Sequence, residues 1–77
     1  MEDYINEIVK FLNMRRCKGQ YTINTTTNNI IVLEYSGNMA RKINNEEKLY
    51  YDIIDFIDDL GLEADLVDVF SMEIWEE

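Results

Sequence analysis

Apolar side chains recur at helical spacing over the first fifteen positions and at every second position after Gly19. A chain whose hydrophobic period changes in this way has to pack helix against sheet. Ile5, Ile8, Val9 and Leu12 follow the i, i+3, i+4, i+7 pattern, and Tyr4 and Phe11 widen the stripe to one side, which predicts a helix over 2–15. Its acids Glu2, Asp3 and Glu7 stand toward the start and Arg15 and Arg16 at the end, the arrangement that opposes the helix dipole. Helical structure is expected to stop by Lys18-Gly19, where glycine can take the left-handed conformation that ends helices. Tyr21, Ile23 and Thr25 then alternate with Thr22 and Asn24, which predicts a strand over 20–25. Thr26 to Asn29 are turn formers, and the run from Ile30 to Tyr35 suits the best-buried strand of a small sheet. Ser36-Gly37-Asn38 offers the positive φ of a tight reversal into a third strand at 39–43, with Met39, Arg41 and Ile43 on one side and Ala40 and Lys42 on the other. Connections this short exclude parallel crossovers, so the expected sheet is a three-stranded antiparallel meander.

Asn44 or Asn45 can cap a second long helix, with Glu47 in reciprocal capping position to Asn44. Leu49, Ile53, Phe56, Ile57 and Leu60 mark one face of a helix over 46–60, and Gly61 is placed to terminate it. The last segment reads two ways. Leu62, Leu66, Val69 and Phe70 fit a short helix at 63–71, whereas Phe70, Met72 and Ile74 alternate as a fourth strand would; the helix is the expectation. The order is then α-β-β-β-α-α, one α+β domain over 1–77 with helices on one face of the sheet. Seventy-seven residues sit near the lower size limit for a core without disulfides or metal. With 47% hydrophobic residues and 12% aromatics the chain can build one, and it lacks the composition of a disordered segment. The single cysteine, Cys17, cannot form an intramolecular disulfide and reads as a small half-buried apolar residue in a reducing compartment. The start carries acids rather than a signal peptide, and the longest apolar run is Ile30 to Leu33, so a cytoplasmic protein of the host cell is expected, with no membrane contact.

The charges are segregated. Residues 1–43 hold four acids against six bases, and residues 44–77 hold twelve acids and the single base Lys48, within a net charge of −9. Folding does not require this, because like charges close together repel in the compact state.

Chemistry is limited by inventory. With no His and one Cys there is no Ser-His or Cys-His pair and no ordinary zinc site. The glycines at 19, 37 and 61 are too far apart for a phosphate loop. Counting back from Gly61 puts Phe56 where an EF-hand needs its first ligand. No catalytic residue, cofactor or resident metal is expected. Turning residues 46–60 by about 100° per residue instead sets Glu47, Tyr51, Asp52, Asp55, Asp58 and Asp59 opposite the apolar stripe. Carboxylates three or four residues apart on a helix lie about 5–6 Å apart between Cβ atoms, a spacing comparable with that of phosphates along a nucleic-acid strand. Asp65, Asp68, Glu73, Glu76 and Glu77 extend the field, and Trp75 stands among the last of them. The plain reading of such a face is solubility, but solubility is met equally well by mixed signs. The candidate partner-binding residues are therefore Glu47, Tyr51, Asp52, Asp55, Asp58, Asp59, Asp65, Asp68 and Trp75. Arg15, Arg16 and Lys18 form a small basic patch expected to pair with the protein's own acids or to end a helix, because the total charge repels phosphates.

A short N-terminal helix, a strand opening Tyr21-Thr22-Ile23, a polar turn through Asn29, the run Ile30-Ile31-Val32-Leu33, a Gly-Asn reversal at 37–38 and an acidic helix after Asn45 together resemble the small acidic anti-CRISPR proteins of phages, of the Cas9-inhibitor type. The resemblance lies in element order and charge. It implies a DNA mimic whose carboxylates occupy the Arg/Lys-lined site where a Cas effector reads duplex DNA. The expected function is thus an acidic inhibitor of phage or mobile-element origin, directed at a basic nucleic-acid-binding protein. The competing expectation is a small structural or adaptor subunit acting through apolar and aromatic surface around Tyr51, Phe70 and Trp75.

Overall fold

The computed structural model describes residues 2–45 and 47–76, the side chain of Glu47 excepted. Seven elements follow in the order α1 (Glu2–Met14), β1 (Tyr21–Thr25), β2 (Ile31–Tyr35), α2 (Gly37–Asn45), α3 (Glu47–Asp59), β3 (Leu62–Asp68) and β4 (Ser71–Glu76). The strands form one antiparallel sheet in the order β1-β2-β4-β3. The fold is α+β, with two hairpins in the sheet and the helices against one of its faces. No helix among the described residues is long and apolar enough to cross a membrane.

Strand alternation decides which face is covered. Ile31, Leu33 and Tyr35 of β2 and Met72 and Ile74 of β4 point into the core, where they meet Ile8 and Leu12 of α1, Met39, Ala40 and Ile43 of α2, and Leu49, Ile53 and Ile57 of α3. Phe11 of α1 stacks on Phe56 of α3 with ring centroids 4.4 Å apart. Arg15, one turn after Phe11 and just past the end of α1, ion-pairs with Asp52, one turn before Phe56 on α3, so these two helices run in opposite directions. The register sets Thr22, Asn24, Val32, Glu34, Ser71, Glu73, Trp75, Glu63 and Asp65 on the other face, which carries no helix.

The helix over 2–15, the strands over 20–25 and 30–35 and the helix over 46–60 stand within a residue or two of expectation. Gly61 ends α3 with φ +80° as expected. The end of α1 comes earlier than Gly19: Arg16, at φ 64°, takes the left-handed position, and Cys17 and Arg16 donate their backbone N–H groups to the Leu12 and Asn13 carbonyls at 3.0 and 3.2 Å. This is the paired-bond terminator usually built on glycine, and Leu12 and Cys17, both 0% exposed, supply its apolar contact. Cys17 is fully rather than half buried.

Two expectations are overturned. Residues 39–43 belong to α2, not to a third strand. Ser36 accepts the Met39 N–H on its hydroxyl at 3.5 Å and the Ala40 N–H on its carbonyl at 2.8 Å, which starts a helix that buries Met39, Ala40 and Ile43 on one stripe. Gly37 is an ordinary helical residue with no positive φ. Residues 63–71 are not a helix: β3 and β4 form a hairpin, so the strand alternative holds for Met72 and Ile74 while Phe70 lies exposed in the turn, and the three-stranded meander becomes a four-stranded sheet. Asp68 closes the hairpin by accepting the Phe70 N–H at 2.7 Å and the Ser71 hydroxyl at 3.0 Å, a side-chain turn that competes with helix at short polar residues. The order is α-β-β-α-α-β-β.

Candidate functional site

On α3 the stripe Leu49, Ile53 and Ile57 is anchored in the core, and the helical period then turns Tyr51, Asp55, Asp58 and Asp59 to solvent. Gly61 reverses the chain at once into β3, so the carboxylates of the helix's last turns stand beside those of the strand. A shallow trough of about 410 Å³ results. Asp55 and Asp58 line its helix side, Glu63 and Asp65 its strand side, and Trp75 of β4 reaches it from the adjacent strand. Glu63 and Trp75 are cross-strand partners. On its other flank Trp75 borders a second recess of about 680 Å³ with Asn28, Asn29, Ile30, Glu73 and Glu76. This half-buried indole therefore sits between two acidic depressions.

The sequence-derived candidates fall into distinct groups. Asp55, Asp58, Asp65 and Trp75 come together at the trough. Tyr51, 57% exposed, and Asp59 lie on the outer face of α3, with Tyr51 edge-on to Tyr50. Asp52 is half-buried and engaged by Arg15, so it is not a free carboxylate, and the basic patch does pair with the protein's own acids there. Asp68 is occupied by the hairpin turn. Glu77 and the Glu47 side chain lie outside the described residues.

Glu63 was missed, as was the part of Glu34 and Glu73 in the uncovered sheet face. The signal was present: Glu63 and Asp65 alternate with Leu62, Ala64 and Leu66, a period of two that a helical reading of 63–71 obscures. Also missed were Leu66, Val67 and Val69, 37%, 55% and 57% exposed, which extend the apolar surface expected at Phe70, itself 54% exposed.

Several of these carboxylates stand where they oppose the fold. Asp65 is directly opposite Glu73 across the β3–β4 pair, a position in which like charges destabilise a sheet. Asp58 and Asp59 occupy the last turn of α3, which has no basic residue, so they face the negative end of the helix dipole. Asp55 lies three residues before Asp58 and four before Asp59, within repulsive range. Among the described residues the only ion pairs are Glu7–Lys10 and Arg15–Asp52, and neither touches the trough.

The remaining titratable groups are structural. Burial pushes the Cys17 thiol above its ordinary value, against a lowering from Lys42 and Arg15, which leaves it protonated and unreactive at neutral pH. Burial likewise raises Tyr21, whose hydroxyl donates to Asn13 at 2.8 Å. Among the described residues no three carboxylates or thiols converge on a point that could hold a metal ion; the acids are spread along a surface. Such an arrangement can attract and orient a cationic macromolecule, with Trp75 as an apolar anchor inside the field. No protein-family model, curated protein or solved structure matches the chain.

Proposed function

We propose that this protein is a binding protein that presents its carboxylate surface to a basic, nucleic-acid-binding protein and occupies the site which that partner uses for DNA. The observation that carries this reading is the placement of Asp58, Asp59, Asp65 and Glu73 where each costs the fold stability. Local rules broken without compensation inside the molecule are typical of sites kept for function. The mechanism is long-range steering by the acidic field, followed by seating of cationic side chains along the trough, with affinity that falls steeply as salt rises. Nucleic acid itself is repelled by a net charge of −9. Within this reading an inhibitor of phage or mobile-element origin acting on a CRISPR-Cas nuclease is the specific case suggested by the resemblance, which now rests on charge because the element order differs at 37–45 and 62–76. No catalysis is assigned to the chain.

The exposed Leu66, Val67, Val69 and Phe70 favour a second reading, an adaptor held through apolar contact and indifferent to salt. Affinity capture from a bacterial lysate at low and moderate salt separates the two. On the first reading the retained proteins are basic, bind nucleic acid, and are released by salt or by duplex DNA. Asp55→Lys with Asp58→Lys is expected to weaken capture at least about tenfold while the melting temperature holds or rises, since both changes relieve repulsion along α3. Retention of neutral or acidic proteins, unchanged in the double variant, would sink the DNA-mimic reading and favour the adaptor.

A further inference from the structure

We infer that the free edge of β3 is the docking line for an extended segment of the partner in which basic and apolar residues alternate, and that this segment joins the sheet as a fifth strand beyond β3. The inference rests on the proposed basic partner and adds its conformation and its pattern.

β3 is the terminal strand on its side of the sheet. Its backbone pairs with β4, and among the described residues its other edge has no backbone partner. An unpaired edge of this kind is a template for strand addition. The opposite edge, β1, reads Tyr-Thr-Ile-Asn-Thr and carries no charge, whereas β3 places Glu63 and Asp65 on one face and Ala64 and Leu66 on the other. A strand added beside β3 continues both faces. Its residues on the Glu63/Asp65 side meet carboxylates at cross-strand distance, and those on the Ala64/Leu66 side meet apolar surface, with Leu66 37% exposed. The α3 wall of the trough brings Asp55 and Asp58 to the same edge from the helix-covered side, so the acidic field borders the edge beyond the two strand carboxylates.

Charge also decides against a second copy of this chain. Antiparallel pairing of two β3 strands about their centres would set Asp65 against its own counterpart, a like-charge pair at the closest cross-strand position. Acids on an edge strand thus prevent self-pairing and admit a strand of opposite charge. The register is irregular between Leu66 and Asp68, so the regular ladder available for docking is Leu62–Leu66.

The test uses the intact protein and a synthetic peptide of about six residues, the usual strand length, alternating Lys and Val. A control of the same sequence is N-methylated at alternate backbone nitrogens, which removes ladder donors and leaves the charge intact. The expected result is slowed amide exchange confined to β3 by nuclear magnetic resonance, and about tenfold weaker binding of the N-methylated peptide. Equal binding of both peptides, lost in Asp55→Lys with Asp58→Lys, would overturn strand addition while leaving the acidic-surface reading intact. Protection on β1, or failure of both peptides to bind at about 20 mM salt where screening is weak, would overturn it as well. The DNA-mimic reading stands or falls separately, on the basic proteins retained in the capture experiment.

Discussion

Tyr35 closes β2 with its ring in the core at 6% exposure, and its hydroxyl has no hydrogen-bond partner among the described residues. Burial, with Asp68 and Tyr50 adding, pushes its ionisation from an ordinary 10.0 up to about 12. The unfolded chain releases this proton first, so the stability Tyr35 contributes is complete below about pH 10 and is lost as pH climbs toward about 12. A buried hydroxyl without a partner also gains nothing over a hydrogen. Tyr35→Phe should therefore leave stability at neutral pH unchanged or higher by up to about 1 kcal/mol, with a shallower loss in urea titrations repeated above pH 10. A loss of about 2 kcal/mol or more at neutral pH would mean that the hydroxyl is satisfied after all. The tyrosine's place in the core was legible from the apolar run of β2. The proximity of Asp68 was not, because it depends on a hairpin 33 residues further along the chain.

At the scale of elements, helix ends were clearer in kind than in position. α1 stops on Arg16 at φ 64° although Gly19 lies three residues on. An L-residue held left-handed costs about 1 kcal/mol, partly offset in a glycine variant by the greater freedom of its unfolded chain. Arg16→Gly is accordingly expected to stabilise by about 0.5 kcal/mol and to raise the melting temperature by about 2–4 °C; a lower melting temperature would show that the Arg16 side chain does more than cap. The misread segments were short. Over five residues, Met39, Arg41 and Ile43 satisfy a period of two as well as Met39, Ala40 and Ile43 satisfy a helical stripe. The Ser36 hydroxyl starts the helix, and the side of β2 that the third strand of a meander would take is already occupied. β2 instead pairs with β4, whose residues stand some forty positions away, and no local pattern announces that pairing.

For the molecule as a whole, the same field has opposite consequences for folding and for binding. A net charge of −9, with few internal ion pairs among the described residues, makes self-repulsion a standing cost of compactness. Raising NaCl from about 20 to about 200 mM shortens the screening length from roughly 20 Å to below 10 Å. The melting temperature should rise by a few degrees, as about 1 kcal/mol of repulsion is relieved, over the range in which partner binding weakens. A melting temperature that falls with salt in circular-dichroism scans would show that attractive pairs outweigh the repulsion. Amphipathic helices, the first hairpin, the acidic character of the C-terminal part and the outer face of α3 were set by residues close together in sequence, where period, capping and charge act over one or two turns. The strand order, the exposed edge of β3, the engagement of Asp52 by Arg15 and the meeting of Asp55 and Asp58 with Glu63, Asp65 and Trp75 were decided by tertiary structure alone. They depend on which distant segments bury their apolar faces together, and that choice belongs to the packing of the whole chain.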